Sequence, residues 1–455
     1  MGTWSITQAS SVITSGRIDG EYYLPAYLEN EALLSALETV PLPKLFEVSD
    51  GNHLSVSRHF LADGDGVPYY RGQDINDFFI ENASPARIPR AIFESGSMRR
   101  SHFCGGDVLL SIVGTIGSLS LVPPFLGDAT GSCKIAILRQ KGECSGAFLS
   151  AFLLTEYGQL QIRRNTRGAV QMGLILKDLA RVRIPLLSKE ERLNVSALIE
   201  TAVSENAASR GLFKQARVKL EAALGLDKLN FQRPTGYSAR LSRIQASRRI
   251  DAENYYPAFQ AFVNGLPKKI LLAPLGNYLE FCQRGKQPLY AKTGLPVINS
   301  KHVQPNRCIH DNQNRLAQPN EEGSLQIRFG DTLVNGTGRG TIGRAAAYLR
   351  ERLSVPDNHV TILRSQRLDP AYLALYLNSL AGQMQVEMHQ RGSSGQLELY
   401  PFDIRRFLVW PAPADFQEEI RNLHDRGAEA EKRSRQLMEE ARGRVERLIK
   451  EAIQA

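Results

Sequence analysis

Short apolar runs rich in β-branched residues recur along the chain between turn-forming residues. The runs VLLSIV, KIAILR, TLVN and HVTILR are bounded by Gly, Asp and Pro, a pattern that predicts β-strands. The segments AFLSAFLLTEYGQLQIRR and AYLALYLNSLAGQMQVEMHQ space their apolar residues at helical intervals instead. We therefore expect an α/β fold of the mixed α+β kind, with turns rich in Gly, Arg and Asn facing solvent.

Two long helical patterns close the two halves of the chain. Ser188 with Glu191, and Asp415 with Glu418, have the spacing of capping boxes and predict the helix starts. The first helix has a predicted seam of Val195, Leu198, Ala202, Ser209, Leu212, Ala216, Leu220 and Leu224, with polar residues at Glu205 and Ser209. The second has a predicted seam of Phe416, Ile420, Leu423, Gly427, Ala430, Ser434, Leu437, Ala441, Val445, Leu448 and Ala452.

Such a narrow seam needs a partner of matching length. At about 1.5 Å per residue, a helix of nearly forty residues extends on the order of 55 Å. Each helix could lie on its own globular body, but a compact body does not cover the far end of a rod. We therefore expect the two helices to pack against each other as an antiparallel coiled coil.

The chain also repeats itself. The segment RIDGEYYLP, which begins at Arg17, returns as RIDAENYYP at Arg249, an offset of 232 residues. Further matches follow in the same order: GVPYYRGQDI with GLPVINSKHV, GDVLLSIVGTIG with GDTLVNGTGRGTIG, AFLSAFLLTEYGQL with AYLALYLNSLAGQM, and Arg167-Gly168 with Arg391-Gly392. A period this long indicates duplicated domains and not a solenoid.

The repeat predicts the domain organisation. We expect a first body over residues 1–187, a first long helix over 188–226 and a linker over 227–247. A second body over 248–413 and a second long helix over 414–455 follow. The linker is inferred because it mixes turn formers and basic residues without apolar periodicity.

Composition and charge narrow the class of protein. The 455 residues contain 56 Lys and Arg against 47 Asp and Glu, and the resulting charge of +9 favours a polyanionic partner. The five cysteines contain no C-x-x-C pair, so neither a disulfide framework nor a zinc site is indicated. We expect a cytoplasmic protein without a membrane span, since no signal-like start and no run of about 18 apolar residues occurs.

Several short motifs suggest other chemistry and are better explained structurally. The sequence GRGTIG at Gly338 matches a dinucleotide-binding pattern, but its first-copy equivalent VGTIG does not, and we predict a hairpin turn. In VPPF, Val122 does not accept the hydrogen bond that an amino-methyltransferase needs from the target amine. His302, Cys308 and His310 lie close in sequence, yet their spacing fits no common zinc pattern. We therefore predict no catalytic residue, no metal site and no cofactor in this chain.

A recurring set of loops interleaves cations and amides with Gly and aromatic residues in both copies. Arg, Lys, Asn and Gln form bidentate bonds with base edges, while Gly and Ser allow close approach to phosphates. A solvated charge on a turn is the alternative for each single residue, and the recurrence favours DNA contact for the set. The candidate residues are Ser57, Arg58, His59, Tyr70, Arg71, Gln73, Arg99, Arg100, Arg164, Arg167, Arg284, Lys286, Gln287, Tyr290, Lys292, Asn299, Lys301, His302, Arg339, Arg391, Ser393 and Ser394.

With the repeat and the helices in place, the chain resembles the specificity subunits of type I restriction-modification systems, the HsdS family. GDVLLSIVGTIG and GDTLVNGTGRGTIG look like the strand-turn signature of the family's target-recognition domains. RVRIPLLSKEERLNVSALIE and VWPAPADFQEEIRNLH look like its passage from domain into helix, and RIDxExYxP is similar to the openings of some members.

The resemblance implies a function and a set of partners. Each target-recognition domain would read one half of a split, asymmetric site on double-stranded DNA, with the helices as spacer and as platform for two adenine methyltransferase subunits. S-adenosylmethionine would be bound by those partners, and a nuclease-translocase subunit would be able to join the assembly. The reading loops of the two copies have diverged, so no base contact is transferred by position.

Two other functions remain open at the level of sequence. A self-contained restriction or methyltransferase enzyme would transfer methyl groups as the purified chain with S-adenosylmethionine alone. A basic protein-interaction scaffold would show no sequence preference on DNA.

The seams lead to a first testable expectation, that helix length fixes the gap between two half-sites. Deleting about two turns from both helices should therefore change the spacer length in the methylated motif. The measurement is a methylome of cells that co-express the shortened chain with the methyltransferase encoded beside it. An unchanged spacer would refute the idea.

Overall fold

The computed structural model describes residues 4–61, 66–75, 77–80, 84–168, 172–229, 236–309, 314–318, 325–392 and 397–454. The chain forms two compact units, one of Met1–Ala207 with Ala430–Ala455 and the other of Ala208–Glu429. Each unit thus contains one α/β body and stretches of both long helices. Within the described residues, no helix combines the length and apolar character needed to cross a membrane.

The first unit builds its body on three small sheets. Its helices are α1 Ala9–Ser15, α2 Pro25–Ser35, α3 Leu42–Leu45, α4 Arg90–Phe93, α5 Gly146–Leu154, α6 Glu156–Arg164, α7 Leu176–Leu179 and the first part of α8 Lys189–Ala223. Its strands are β1 Thr39–Pro41, β2 Phe46–Asp50, β3 Val67–Tyr70, β4 Ala86–Ile88, β5 Val108–Ser111, β6 Leu119–Leu121, β7 Thr130–Gly131, β8 Ile135–Gln140 and β9 Arg183–Pro185. The sheet orders are β2-β8-β5-β6, β4-β3-β7 and β1-β9.

The second unit has the same plan. Its helices are the last part of α8, then α9 Leu241–Ser247, α10 Pro257–Gly265, α11 Pro370–Asn378, α12 Leu380–His389, α13 Pro401–Ile404 and the first part of α14 Ala414–Gln454. Its strands are β10 Ala273–Pro274, β11 Phe281–Arg284, β12 Tyr290–Ala291, β13 Leu295–Ile298, β14 Val303–Gln304, β15 Arg307–Cys308, β16 Leu316–Ala317, β17 Asp331–Asn335, β18 Ala345–Tyr348, β19 Val355–Pro356, β20 Val360–Arg364 and β21 Leu408–Val409. The sheet orders are β11-β20-β17-β18, β12-β16-β13-β19, β10-β21 and β14-β15.

The sheet orders confirm the internal duplication. The sheet β11-β20-β17-β18 repeats β2-β8-β5-β6, and β10-β21 repeats β1-β9. In the remaining pair of sheets, a parallel pairing joins β13 to β19 as it joins β3 to β7. The second copy adds the strand β12 at the edge of this sheet. The strands predicted from VLLSIV, KIAILR, TLVN and HVTILR are the central strands β5, β8, β17 and β20.

A buried ion pair joins the two central strands of each unit. Asp107, which precedes β5, accepts bonds from Arg139 of β8 at 2.9 and 2.7 Å. Asp331 accepts equivalent bonds from Arg364 of β20 at 2.7 and 3.2 Å. Both carboxylates are buried, so they need these partners, because an unpaired charge in the interior is costly. The Gly-Asp step of the repeat is therefore a structural element.

The segments predicted as single helices are each broken into two. Thr155 separates α5 from α6 and caps α6 by accepting the Gly158 N–H at 3.2 Å, and Ser379 separates α11 from α12. At the start of the second helix in each pair, a Cβ on Gly158 or Gly382 would lie within 2.5 Å of a backbone oxygen of the preceding helix. Only glycine permits this close approach.

The RID segment fastens the start of each repeat to the end of α6 or α12. Arg17 is 2% exposed, pairs with Asp19 and donates to the Thr166 carbonyl at 2.8 Å. The Tyr23 hydroxyl donates to the Arg17 carbonyl at 2.7 Å. The second copy repeats this arrangement with Arg249, Asp251, Tyr255 and the Gln390 carbonyl.

One helix lies where the sequence predicted a linker. Helix α9, Leu241–Ser247, occupies the end of the 227–247 segment and lies 232 residues after α1. Both helices end in a left-handed residue, Gly16 with φ 60° and Arg248 with φ 52°. The repeat thus extends further towards the N-terminus than the RID motif. Helix α9 has no buried residue, so the apolar periodicity that would have indicated it is missing.

Antiparallel contacts between α8 and α14 occur inside each unit, as predicted. In the first unit the Ser434 hydroxyl donates to the Ala202 carbonyl at 2.6 Å, and Arg444 pairs with Glu191 at 2.9 Å. In the second unit the Phe213 ring packs edge-on against His424. The core of the first unit takes up Val195, Ile199, Ala202, Ala441, Val445 and Ile449, and that of the second takes up Ala216, Leu220 and Ile420.

Two details of the helix predictions are wrong. Ser188 caps α8 as expected, with the Glu191 N–H donating to its hydroxyl at 3.2 Å. Asp415, however, lies inside α14, which begins at Ala414, so it is a first-turn acid and not the cap. Near the C-terminus, Ile449 is buried in place of the predicted Leu448, and Ala452 is exposed. The seam steps by four residues after Val445, since a straight helix of 3.6 residues per turn drifts away from a heptad.

The partly buried His389 at the end of α12 predicts a local pH dependence. Burial lowers the pKa of His389 to about 4, against 6.5 for an exposed histidine. The unfolded segment therefore binds the extra proton first, and stability is lost as the pH falls through 6.5 towards 4. We expect α12 to lose about 1–2 kcal/mol between pH 7 and pH 5.

Hydrogen exchange of the α12 amides would measure this loss. His389→Asn is the matched control, because the repeat places Asn165 at this position of the first copy. The variant should show a clearly smaller change between the two pH values. Equal changes in both proteins would contradict a buried neutral imidazole.

Candidate nucleic-acid interface

A four-residue turn after β3 and after β13 holds candidate residues at equivalent positions. In the first unit the Arg71 N–H donates to the Asp74 carboxylate at 2.8 Å. In the second unit the Asn299 N–H donates to His302 Nδ1 at 3.0 Å. The alignment of the two copies places Arg71 opposite Asn299 and Gln73 opposite Lys301. The backbone is thus held in the same way while the presented side chains differ.

In the first unit this turn lines an open cleft of about 700 Å³. Ser57, Arg71, Gln73, Thr115 and Lys134 contribute to its walls, and we call this set the unit 1 cleft. The Thr115 hydroxyl donates to the Gly72 carbonyl at 3.2 Å, which joins the β5–β6 loop to the turn. Arg71 is oriented by Asp74 at 3.1 Å, and 40% of its side chain stays exposed. The cleft therefore presents hydroxyl, amide and cationic groups together.

The β5–β6 loop and the β17–β18 loop that repeats it are hairpin turns, as predicted for GRGTIG. Strands β17 and β18 pair antiparallel, which is incompatible with a dinucleotide-binding strand-helix unit. Gly338, Gly340 and Gly343 have φ of 92°, 79° and 79°, a left-handed conformation that favours glycine. Arg339 is exposed between two of these glycines. The hairpin thus carries a cation at its tip.

The second unit carries corresponding residues on equivalent elements, and we call Arg284, Asn299, Lys301, Arg339 and His359 the unit 2 cluster. The Asn335 amide of β17 donates to the Ser300 carbonyl at 3.0 Å, which joins the turn to the β17–β18 hairpin. His359 Nδ1 lies 2.7 Å from the hydroxyl of Thr337 in the β17–β18 hairpin. Arg284 donates to the Asn358 carbonyl at 2.7 Å and to Glu398 at 3.0 Å. The hydrogen bond from Arg284 lowers the pKa of the Glu398 carboxyl, so this acid stays ionised and offsets part of the positive charge.

The candidates Arg99 and Arg100 border the loop that lines the unit 1 cleft. Arg99 is exposed, and Arg100 pairs with Asp50 while 62% of its side chain remains exposed. Met98 beside them packs in the small core that also contains Val56, next to the candidates Ser57, Arg58 and His59. Ser57 and Arg58 are exposed, and His59 is half-buried. Ser57 therefore lines the cleft, and the other four candidates lie on segments that pack on the same small core.

Several candidates make structural contacts within the first or second unit. Arg164 stacks on Tyr22 and donates to its carbonyl at 3.1 Å, away from the cleft. Arg167 and Arg391 form bidentate pairs with the buried Asp178 and Asp403.

Two further candidates, Tyr70 and His302, are 3% and 2% exposed and lie in the interior. Tyr70 ends β3, where the alternation of the strand turns its side chain inward. His302 faces the turn, where it accepts the Asn299 N–H.

The remaining candidates lie on the edge of the second unit that has no counterpart in the first. Lys286, Gln287 and Lys292 are exposed around β12, and Tyr290 stacks under Arg315 with the guanidinium 3.2 Å from the ring centroid. Ser393 and Ser394 lie outside the described residues. His310 of the rejected zinc pattern does too, and among the described residues no group of three or more His, Cys, Asp or Glu side chains could hold a metal ion.

The structure adds two residues that the sequence analysis did not select, Lys134 and His359. Each immediately precedes a central strand, β8 or β20, and each borders the β5–β6 hairpin or its equivalent. Aligning KIAILR with HVTILR would have placed both at the same position. The alignment of the two copies therefore contained the information. A single polar residue before a strand, however, is not recognisable as a DNA contact from residue type alone.

The exposed side chain of Arg99 leads to a prediction for salt dependence. Each phosphate contact that is lost should reduce the slope of log K against log salt by about one. Arg99→Ala is expected to flatten the slope for the purified chain on duplex DNA, and Arg100→Ala less so, since Asp50 already holds that side chain. Arg433→Ala on α14, with 61% of its side chain exposed, is the matched control. Identical slopes in all four proteins would remove Arg99 and Arg100 from the interface.

Solved structures supply the matches that the comparisons with known proteins give. No model of a known protein family and no curated protein matches the chain. Among solved structures, the chain is similar to the S subunit of a type I restriction-modification system from M. genitalium, with 13% identity, coverage of 90% of this chain and 95% of that one, and a TM-score of 0.42. It is similar to the HsdS subunit from Thermoanaerobacter tengcongensis, with 15% identity, coverage of 91% and 96%, and a TM-score of 0.31.

A partial similarity involves the type IIG restriction endonuclease BpuSI, with 10% identity, coverage of 42% and 30%, and a TM-score of 0.31. Identities and TM-scores this low leave the function to be argued from the chain's own residues. The two solved structures described above that it matches over nearly its whole length are both S subunits of type I restriction-modification systems, the family that its motifs resemble.

Proposed function

We propose that the chain is a non-catalytic specificity subunit that reads a bipartite, asymmetric DNA site and directs partner adenine methyltransferase subunits to it. The observation that carries the proposal is the turn after β3 and β13. In both units the backbone N–H of the first turn residue donates to the side chain of the fourth, Asp74 or His302, while Arg71 and Gln73 in one are replaced by Asn299 and Lys301 in the other. Two domains that recognise different DNA sequences require this combination, in which the turn backbone is kept and its hydrogen-bonding side chains differ.

The exchanged side chains are suited to different bases. Arg and Lys donate to the O6 and N7 atoms of guanine, and Asn and Gln pair with N6 and N7 of adenine in the major groove. Arg71 opposite Asn299, and Gln73 opposite Lys301, thus exchange one preference for the other. The two halves of the DNA site would differ in sequence for this reason, which makes the whole site asymmetric.

The groups around these turns supply grip without sequence preference. Lys134 and Ser57 in the unit 1 cleft, and Arg339 in the unit 2 cluster, are exposed side chains able to contact phosphates. A net charge of +9 adds long-range attraction to DNA. Binding should therefore combine a salt-dependent part with a few directional base contacts.

The proposal assigns the chemistry to partners. Two methyltransferase subunits would bind S-adenosylmethionine and modify one adenine in each half of the site, and a nuclease-translocase subunit would join for restriction. This chain would contribute neither cofactor nor catalytic group. The setting is a cytoplasmic restriction-modification or phage-defence system.

Half-site substitutions test this function. The chain is co-expressed with the methyltransferase encoded beside it, and the methylated motif is mapped in the host genome. Arg71→Ala with Gln73→Ala should relax one half of the motif by about ten- to hundredfold in discrimination, the loss expected for one or two base contacts. Asn299→Ala with Lys301→Ala should relax the other half.

A control and a contrary result make the experiment decisive. Gln140→Ala removes an exposed amide at the end of β8 and should leave the motif unchanged. Relaxation of both halves by either pair, or of neither half by both, would contradict two separate readers. Methyl transfer by the purified chain with S-adenosylmethionine alone would contradict a non-catalytic role.

A further inference from the structure

The most similar stretch of the two copies contains residues that the fold does not require. RIDGEYYLP and RIDAENYYP share six of nine residues, namely Arg, Ile, Asp, Glu, Tyr and Pro. The Arg, Asp and Tyr form the hydrogen-bonded arrangement at the start of each repeat, and the Pro begins α2 or α10. The shared Ile and Glu take no part in these contacts.

The shared isoleucines are almost completely in water. Ile18 is 93% exposed and Ile250 is 92% exposed, although both flanking residues are held by contacts within the unit. Alternation along an extended segment explains why the side chain points outward between Arg17 and Asp19, but it does not explain an apolar side chain there. A single exposed apolar residue is common on protein surfaces. Folding does not explain why an exposed isoleucine stands at the same position in two copies that have otherwise diverged.

The shared glutamates stand three residues further on and are exposed as well. Among the described residues, neither Glu21 nor Glu253 has a side-chain hydrogen bond or ion pair. Each copy therefore presents one apolar side chain and one carboxylate on a short backbone segment of the same conformation. A carboxylate disfavours a DNA phosphate as the occupant and favours a cationic protein side chain.

We propose that Ile18 with Glu21, and Ile250 with Glu253, form two equivalent docking sites that each take one copy of the same partner protein. The partner is the methyltransferase subunit of the proposed function, on which this inference rests, and it contributes an apolar pocket bordered by a Lys or Arg. An isoleucine gains by leaving water for such a pocket, and the carboxylate sets orientation. Because each unit contains one site, the chain binds two partner copies.

Subunit counting in the intact complex tests the docking sites. The chain and the methyltransferase encoded beside it are co-expressed and purified, and their ratio is measured by native mass spectrometry. The natural chain should hold two methyltransferase copies. Ile18→Asp or Ile250→Asp should weaken one site by about tenfold or more, leaving one copy, and the double variant should hold none. Leu271→Asp, at a residue 76% exposed without a shared counterpart, is the control and should leave two copies.

DNA measurements on the same proteins separate this inference from the proposed function. The double variant should keep the salt-dependent DNA binding of the natural chain, which also shows that it is folded. A double variant that still holds two methyltransferase copies overturns the docking sites and leaves the specificity function intact. The opposite result is also possible: the double variant loses both methyltransferase copies, while the natural complex methylates DNA without sequence preference. That result supports the docking sites and overturns the specificity function.

Discussion

Each unit depends on a carboxylate buried between its central strands. Asp107 and Asp331 have almost no contact with water. Their pairing with Arg139 and Arg364 joins β5 to β8 in the first unit and β17 to β20 in the second. Removing either arginine would leave a carboxylate without its partner in the interior, which costs several kcal/mol, about 3–5 in measured cases. The loops that border the cleft therefore leave from strands whose relative position is fixed. Their side chains are free to change without loss of the frame.

The division between frame and loop explains what the two copies share. Residues identical in both are mostly those that a contact requires: the buried arginine of the RID segment, the Gly-Asp step, and the glycine at which α6 or α12 begins close to the preceding helix. Residues that differ are those on the presented side of the same turns, such as Gln73 and Lys301. Duplication followed by divergence of the presented side chains thus gives two different surfaces on one fold, which under the proposed function are two DNA readers.

The sequence predicted the elements whose signal is local and missed those whose cause is distant. Apolar runs located β5, β8, β17 and β20, and the seam of small and apolar residues predicted the packing of α8 on α14. The break at Thr155 was missed because helical spacing continues across it. Arg167 and Arg391 were grouped with the reading loops because their buried partners, Asp178 and Asp403, lie eleven and twelve residues away. A cation on a turn looks the same in sequence whether it faces water or an acid.

That ambiguity bears on how a chain with a charge of +9 achieves selectivity. Many of its arginines form ion pairs with acids within the fold, as Arg139, Arg364 and Arg391 do. The cations that remain at the cleft and the cluster, Lys134, Lys301 and Arg339, have no ion pair among the described residues. A small number of such contacts gives weak binding to arbitrary DNA, since affinity without sequence preference scales with the phosphates neutralised. Under the proposed function, discrimination would therefore come from two half-sites read together, because one unit alone offers only a few directional donors. The duplication would then be the source of specificity, and the arginines paired with acids would add little to nonspecific binding.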